Sequence, residues 1–222
     1  MSLAIAAAVL GGLLLGWFAN VVAYRLPRGE PLLSPGLHRE RISGRDALTI
    51  ALTAGLLAAV VSMHHDRVAQ LVLGLVLVAF LVPLTLIDLD TRTLPDRLTA
   101  PAAVLGLALA TALDPGREIE RLIAAAAAGG FFLVAWYLRP GGMGFGDVKL
   151  VAVLGLFLGR EVVVALLVAL VAGVLVGVAI MHRMGVAGGR KENVPFGPFL
   201  ALGGVVAVLA GGPLLDAYLE LS

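Results

Sequence analysis

Eight apolar stretches follow one another along the chain, and most are long enough to cross a bilayer. Crossing the hydrocarbon core takes about 20 mostly apolar residues in a helix, because lipid cannot hydrogen-bond to exposed backbone groups. The sequence is 60% hydrophobic and 14% charged, with a mean hydropathy of +1.01. It therefore predicts an all-α polytopic membrane helix bundle of about eight transmembrane helices, the sixth short and irregular at its start. The predicted spans are Leu3–Tyr24, Ala47–Met63, Val68–Ile87, Leu98–Leu113, Ile119–Leu138, Val148–Leu158, Val162–Met181 and Phe196–Leu215.

Charge and cysteine content exclude several kinds of site. The 16 basic and 15 acidic residues leave a net charge of +1, which provides no general attraction for nucleic acid. Without cysteine, the chain cannot form a disulfide, a thiolate zinc site or a cysteine nucleophile. Membrane lipid is the expected surrounding, and nucleic acid is not an expected partner.

The basic residues predict which ends of the spans face the cytoplasm. With eight spans and both termini outside, 12 of the 16 Lys and Arg residues fall in inner loops. Such a bias is typical of cytoplasmic loops. One span fewer or more between Asp88 and Asp147 would remove the bias. The sequence thus predicts that the N-terminus and the C-terminus both lie outside, on the side of the membrane away from the cytoplasm.

Two aspartates are predicted at the cytoplasmic ends of different spans. Asp88 ends the third apolar run, and Asp147 immediately precedes the sixth. Because these two spans run in opposite directions, both carboxylates are expected at the same depth. For each aspartate, the alternative is a helix cap or a solvated helix end.

The residues after Asp88 form a polar turn in "LIDLDTRTLPDRLTAP". Asp90 is two residues from Asp88, so on a continuing helix it points about 200° away and is expected to be solvated. Pro95 precedes the fourth span, and Asp96 is expected to be its N-cap.

Glycines surround Asp147 in "GGMGFGDVKL". We expect Gly141, Gly142, Gly144 and Gly146 to let the backbone adopt conformations closed to other residues and so let an extended peptide approach. A flexible turn is the alternative. Lys149 is expected either to anchor at lipid headgroups or to influence the charge of Asp147, and the anchor is favoured.

Two carboxylates at one site have a specific chemistry. Close together they share one proton, so that one acts as a base on water while the other donates to a scissile carbonyl. This hydrolysis needs neither a metal nor a cysteine or serine nucleophile.

Four motifs resemble those of the type IV prepilin peptidases, which are intramembrane aspartic proteases with a GxGD motif. They are "GGLLLGWFANVVAYRLPR", "LIDLDTRTLPDRLTAP", "GFGDVKL" and "VPFGPFLALGG", in the family's order. The resemblance implies that Asp88 and Asp147 are the catalytic pair, with Pro95, Asp96, Gly144, Gly146 and Lys149 as supporting or substrate-binding residues. It further implies that prepilins or pseudopilins are the substrates, cut after a glycine that ends a basic leader and precedes an apolar helix.

The resemblance also implies how the chain is organised and where it acts. We expect one integral membrane domain, 1–222, with N-terminal spans in 1–63 and an aspartic peptidase core in 64–222. The expected location is the inner (plasma) membrane, as a multi-pass protein with its active site at the cytoplasmic face.

The first cytoplasmic loop departs from the pattern of the family. Many members carry paired CxxC motifs in this loop, whereas here it is a shortened segment, 25–46, without cysteine. Zinc is therefore not expected, and the peptidase reaction requires no cofactor. S-adenosylmethionine is expected only if the chain also methylates the new N-terminus, which the sequence leaves open.

Two other functions remain open from the residues alone. One is a proton- or ion-coupled transporter that uses paired membrane aspartates, which favours carboxylates near the midplane and internal repeats. The other is a scaffold subunit without catalysis.

Overall fold

Each predicted apolar stretch forms an α-helix in the computed structural model. The structure describes residues 2–32, 43–64, 66–139, 143–189 and 195–220, with the backbone alone at 184–189. Most helix ends lie within a few residues of those predicted, and α7 extends furthest beyond its prediction. The helices are α1 Ser2–Arg25, α2 Gly44–His64, α3 Val68–Thr91, α4 Asp96–Leu113, α5 Glu118–Leu138, α6 Phe145–Leu158, α7 Val162–Gly189 and α8 Gly197–Glu220.

The helices are those of a multi-pass membrane protein. Seven helical segments of the described chain are long and apolar enough to cross a membrane, and one of them, Phe145–Arg183, contains both α6 and most of α7. Alone, the 14 residues of α6 would extend about 21 Å, less than the bilayer core of about 30 Å. The all-helical membrane fold is thus confirmed, whereas the side on which each terminus lies stays a prediction.

The start of α6 differs from the prediction. The sequence predicted a span from Val148 with an irregular beginning, but the helix begins at Phe145. Regular hydrogen bonding therefore reaches Asp147 itself.

Packing divides the chain into two compact units, Met1–Gly116 and Arg117–Ser222. The first unit contains α1 to α4, and α3 supplies much of its core, including the fully buried Leu77, Leu81 and Ile87. At the contact between α1 and α2, a Cβ atom added to Gly12 would lie 2.4 Å from the Cα of Ala54. The backbones of these two helices are therefore in direct contact.

The second unit contains α5 to α8. Helix α6 is buried along most of its length, and its Gly155 lies against α5, where an added Cβ would be 2.5 Å from the Cα of Ala125. The sequence 124–130, "AAAAAGG", is the part of α5 that permits this approach. Small residues serve here as they commonly do where membrane helices touch.

A charged network ties the start of α5 to the turn between α6 and α7. The Arg117 guanidinium donates to Glu120 Oε1 at 2.7 Å and to both carboxylate oxygens of Glu161 at 3.0 Å. The backbone N–H of Arg160 donates to Glu120 Oε1 at 3.0 Å. These partly buried charges link segments distant in sequence within the second unit.

Candidate active site

Asp88 lies in the last turn of α3 and is only 4% exposed. The helix continues through Thr91, past the predicted end at Ile87. Arg92 then adopts a left-handed conformation, and its N–H donates to the Asp88 carbonyl oxygen at 2.9 Å. A buried carboxylate is costly to keep in a stable fold, so its position after an apolar run is consistent with a functional role.

Asp90 is exposed, as the sequence predicted. Its two carboxylate oxygens accept hydrogen bonds from Arg45 at 2.6 and 3.1 Å. Both side chains are nearly half exposed, at 44% and 48%. Asp88 and Asp90, which belong to the same motif, therefore differ clearly in burial.

The prediction that Asp96 caps α4 is wrong by one residue. Pro95 occupies the N-cap position in an extended conformation, and Asp96 is the first residue of the helix. The Pro95 carbonyl accepts hydrogen bonds from the N–H groups of Leu98 and Thr99 at 3.0 and 3.2 Å. Because its ring restricts φ, proline ends the preceding turn and leaves Asp96 in the first helical turn, where a negative charge is favourable.

Asp147 lies in the first turn of α6 and is only 6% exposed. Its Oδ2 accepts a hydrogen bond from the N–H of Gly144 at 3.2 Å, and its own N–H donates to the Gly144 carbonyl at 3.1 Å. Gly144 is the N-cap residue. The carboxylate is therefore held by the helix start, so the helix-cap alternative describes part of what Asp147 does.

Two glycines of the GxGD motif adopt ordinary conformations. Gly144 has φ −75° and ψ 144°, and Gly146 lies within α6. The prediction that they need conformations closed to other residues is wrong at these positions, because a helix start requires only extended and helical backbone. Gly141 and Gly142 lie outside the described residues.

Lys149 lies over an aromatic ring one turn after the helix start. Its Nζ is 4.9 Å from the centroid of the Phe145 ring, and that ring is 5.3 Å from the ring of Trp136 on α5. A cation over a ring face is stabilised by the ring quadrupole. The predicted roles of Lys149, as a lipid anchor or an influence on Asp147, stay predictions.

Asp88 belongs to the first unit and Asp147 to the second. That the two carboxylates lie close together stays a prediction from topology and from the resemblance. Within the described ranges, no three His, Asp or Glu side chains are grouped so that they could hold a metal ion.

A pocket at the end of α3 was not predicted. It lies within the first unit between the short 3₁₀ helix Leu26–Arg28, the last turn of α3 and the segment 93–97. Its volume is about 750 Å³. Residues of the motif "YRLPR" form one wall of the pocket. This wall lies next to the polar turn after Asp88 only because α1 packs against α3.

Comparison with known proteins supports the family suggested by the motifs. Residues 75–180, which include both aspartates, match the model of the type IV leader peptidase family. Proteins named prepilin leader peptidase/N-methyltransferase are 36% identical in Aeromonas salmonicida over 192 residues and 32% identical in Stutzerimonas stutzeri over 180. A relative with the same name from Pseudomonas aeruginosa is 31% identical over 180 residues.

These relatives are longer than the chain. The alignments cover 81%, 78% and 78% of this chain but 62%, 61% and 61% of the respective relatives. No solved structure matches the chain. Neither the family match nor the relatives favour the transporter alternative. Residues 75–180 thus match the type IV leader peptidase family, and about four fifths of the chain is similar to proteins named prepilin leader peptidase/N-methyltransferase.

Proposed function

We propose that the chain is a membrane-embedded aspartic endopeptidase with Asp88 and Asp147 as its catalytic pair. The observation that carries this proposal is that both are buried carboxylates at the ends of apolar helices, inside the segment matched to the leader peptidase family. Asp90, in the same motif as Asp88, is exposed and paired with Arg45, which makes it the poorer candidate.

The reaction is peptide hydrolysis with one proton shared between the two carboxyl groups. One carboxylate removes a proton from water, whose oxygen attacks the scissile carbonyl carbon, while the other carboxyl donates a proton to the carbonyl oxygen. The tetrahedral diol then breaks its C–N bond as the nitrogen receives a proton. The products are a new carboxyl end on the leader and a new amine on the mature chain.

The proposed substrates are type IV prepilins or pseudopilins, cut after the glycine that ends their basic leader. The name of the relatives, prepilin leader peptidase, supports this class. The proposed location is the inner membrane, with the reaction at the cytoplasmic face. If the N-terminus lies outside, most of the basic residues fall in inner loops, and this distribution supports the proposal.

The proposed peptidase reaction uses no cofactor. The relatives' name includes N-methyltransferase, and methyl transfer in this chain would require S-adenosylmethionine as donor. A cysteine-ligated zinc ion does not fit, since the chain has no thiolate to bind it. Mass spectrometry of the mature pilin N-terminus tests the second activity: a correctly cut but unmethylated product would limit the chain to peptidase activity.

The test of the peptidase is cleavage of a co-expressed prepilin by wild type, Asp88→Asn, Asp147→Asn and Asp90→Asn. The Asp90 variant is the matched control, because it removes a carboxylate from the same helix end as Asp88. We expect each of the first two changes to abolish cleavage at unchanged membrane abundance, and the control to cleave normally. Cleavage retained by Asp88→Asn or Asp147→Asn would remove that residue from the pair.

A further inference from the structure

Helices α5 and α6 run side by side along the whole of α6. At the start of α6, the ring of Phe145 is 5.3 Å from the ring of Trp136 on α5. Just past the end of α6, a Cβ atom added to Gly159 would lie 2.6 Å from Glu120 Oε1, and Gly155 touches α5 in between. The two helices are therefore antiparallel and close throughout, and the ends of α6 mark two fixed levels on α5, one at Trp136 and one at Glu120.

Polar groups at these two levels are closer together than the two surfaces of a bilayer core. At the first level, Lys149 Nζ lies 4.9 Å from the centroid of the Phe145 ring, and Trp and Lys are typical of the boundary between membrane and water. At the second level, the side chains of Glu120 and Arg117 are 35% and 28% exposed. The rise along α5 from Glu120 to Trp136 is about 24 Å, which is about 6 Å less than the thickness of an ordinary bilayer core.

The charged groups at the second level are held there. The Glu120 carboxylate accepts hydrogen bonds from the Arg117 guanidinium at 2.7 Å and from the backbone N–H of Arg160 at 3.0 Å. Arg117 also donates to Glu161, so its guanidinium is directed into the network. The Arg160 side chain reaches further, to 3.9 Å from Asp216, but its backbone does not. Because any tilt of α5 shortens its extent along the membrane normal, about 24 Å is an upper limit.

Helix α8 passes this level and does not end there. A Cβ atom added to Gly211 would lie 3.0 Å from Glu161 Cβ, and α8 continues to Glu220, about 13 Å further along its axis. In a bilayer whose surface was level with the end of α8, the exposed parts of Glu120 and Arg117 would lie in hydrocarbon, where charged side chains are costly. The turn between α6 and α7 therefore forms the floor of a recess on the α5 and α6 side of the second unit.

We propose that the bilayer is locally thinned where it meets α5 and α6, so that its hydrocarbon is about 24 Å thick on this face and water fills the recess. Thinning a bilayer by a few ångström costs little for each ångström, whereas exposed charges in hydrocarbon are strongly disfavoured. The partner is thus phospholipid whose acyl chains are compressed against the exposed Ile123, Phe131 and Val134 of α5. The inference concerns lipid around the second unit and does not rest on the proposed peptidase activity.

Spin labels at single cysteines measure this thickness directly, because the chain has no cysteine of its own. Relative collision of each label with oxygen and with a polar nickel complex shows whether it lies in hydrocarbon or in water. Labels on α1 are the matched control, because Ser2–Tyr24 has no charged residue over about 33 Å. The labelled positions are exposed and apolar, so packing should be undisturbed: Ile119, Ile123, Phe131, Val134 and Leu138 on α5, and Leu3, Ala7, Leu10, Phe18 and Tyr24 on α1.

In dioleoyl phosphatidylcholine vesicles, we expect about 24 Å of α5 to lie in hydrocarbon, against about 30 Å or more of α1. Phosphatidylcholines with longer acyl chains test the cause, because they thicken the bilayer. The hydrocarbon segment of α1 should then lengthen, whereas that of α5 should stay the same, since the charges at Glu120 and Arg117 hold its boundary.

Two results would overturn the inference. One is hydrocarbon segments of equal length along α5 and α1 in the dioleoyl lipid, and the other is an α5 segment that lengthens with the acyl chains as α1 does. Prepilin cleavage enters neither measurement, so either result would leave the proposed function standing, and a failure of the cleavage test would leave this inference standing.

Discussion

Asp147 accepts a hydrogen bond from the backbone N–H of Gly144 at 3.2 Å, so the proposed catalytic carboxylate also holds the start of its own helix. Glycine has no side chain with which to cap a helix, which leaves the aspartate to supply the capping oxygen. The stability of the α6 start and the proposed catalysis thus depend on the same side chain. Two variants at position 147 separate these two roles.

Asn at position 147 keeps an oxygen that can accept from Gly144, whereas Ala removes it. We expect both Asp147→Asn and Asp147→Ala to abolish prepilin cleavage. Only Asp147→Ala should also lower the free energy of unfolding, by about 0.5–2 kcal/mol, the usual effect of losing a cap. Thermal unfolding in detergent measures the difference, and equal stability of the two variants would contradict the capping role.

The space around Gly144 permits an alanine. An added Cβ would lie 3.5 Å from Asp147 Oδ2, an ordinary contact, and the backbone is in a region that alanine adopts freely. We expect Gly144→Ala to change stability by less than about 0.5 kcal/mol but to slow cleavage about tenfold, because a methyl group here would obstruct the extended peptide. Single-turnover cleavage by purified protein measures this.

The matched control for Gly144→Ala is Gly130→Ala on α5, where an added Cβ would have no atom of the described chain within 4 Å apart from the backbone of its own helix. It should leave cleavage unchanged. Undiminished cleavage by Gly144→Ala would show that the glycine is not required for the approach of the peptide.

The contact between α5 and α6 should be sensitive to a single methyl group. At Gly155 the added Cβ would lie 2.5 Å from the Cα of Ala125, so the helices would have to separate. We expect Gly155→Ala to lower the free energy of unfolding by about 1–3 kcal/mol. Gly130→Ala makes the same chemical change in open space and should not destabilise. Denaturant titration of the two variants provides the comparison, and similar stabilities would contradict the packing described.

Two arginine networks should differ in their contribution to stability. The Arg117 side chain is bonded to two carboxylates and is 28% exposed, whereas the Arg45 side chain is bonded to one among the described residues, that of Asp90, and is 48% exposed. We expect Arg117→Gln to lower the free energy of unfolding by about 1–3 kcal/mol, since bonds to charged groups are strong where water is partly excluded.

Arg45→Gln should change the free energy of unfolding by less than about 1 kcal/mol, because exposed ion pairs are weak. It should also leave prepilin cleavage within about twofold of wild type. The same unfolding assay at low and high salt measures both arginine variants. If Arg45→Gln lowered the free energy of unfolding more than Arg117→Gln, the prediction based on the exposure of the two side chains would be wrong.

Much of this fold could be predicted from hydropathy. A helix that enters lipid must satisfy its own backbone and present apolar side chains, so each span leaves a continuous apolar run in the sequence. The same reasoning located Asp88 and Asp147 as the charged residues at the ends of such runs, and it distinguished Asp88 from the solvated Asp90.

The errors at Asp96, Gly144 and Gly146 have a common cause. Each was a prediction about local backbone geometry within one or two residues of a helix start. Which residue becomes the N-cap depends on small differences among competing hydrogen bonds, and composition does not resolve them. Pro95 takes the cap before α4, and Asp147 supplies the capping oxygen of α6.

The sequence by itself determined where the apolar helices of the described chain lie, their membrane character and the two motifs that hold the aspartates, because these follow from residue type and spacing along the chain. Only the tertiary structure decided which small residues lie at helix contacts and how the polar turn and the "RLPR" segment together line an open pocket at the end of α3. Those features depend on contacts between segments far apart in sequence. Such contacts arise from the packing of whole helices and leave no local periodicity.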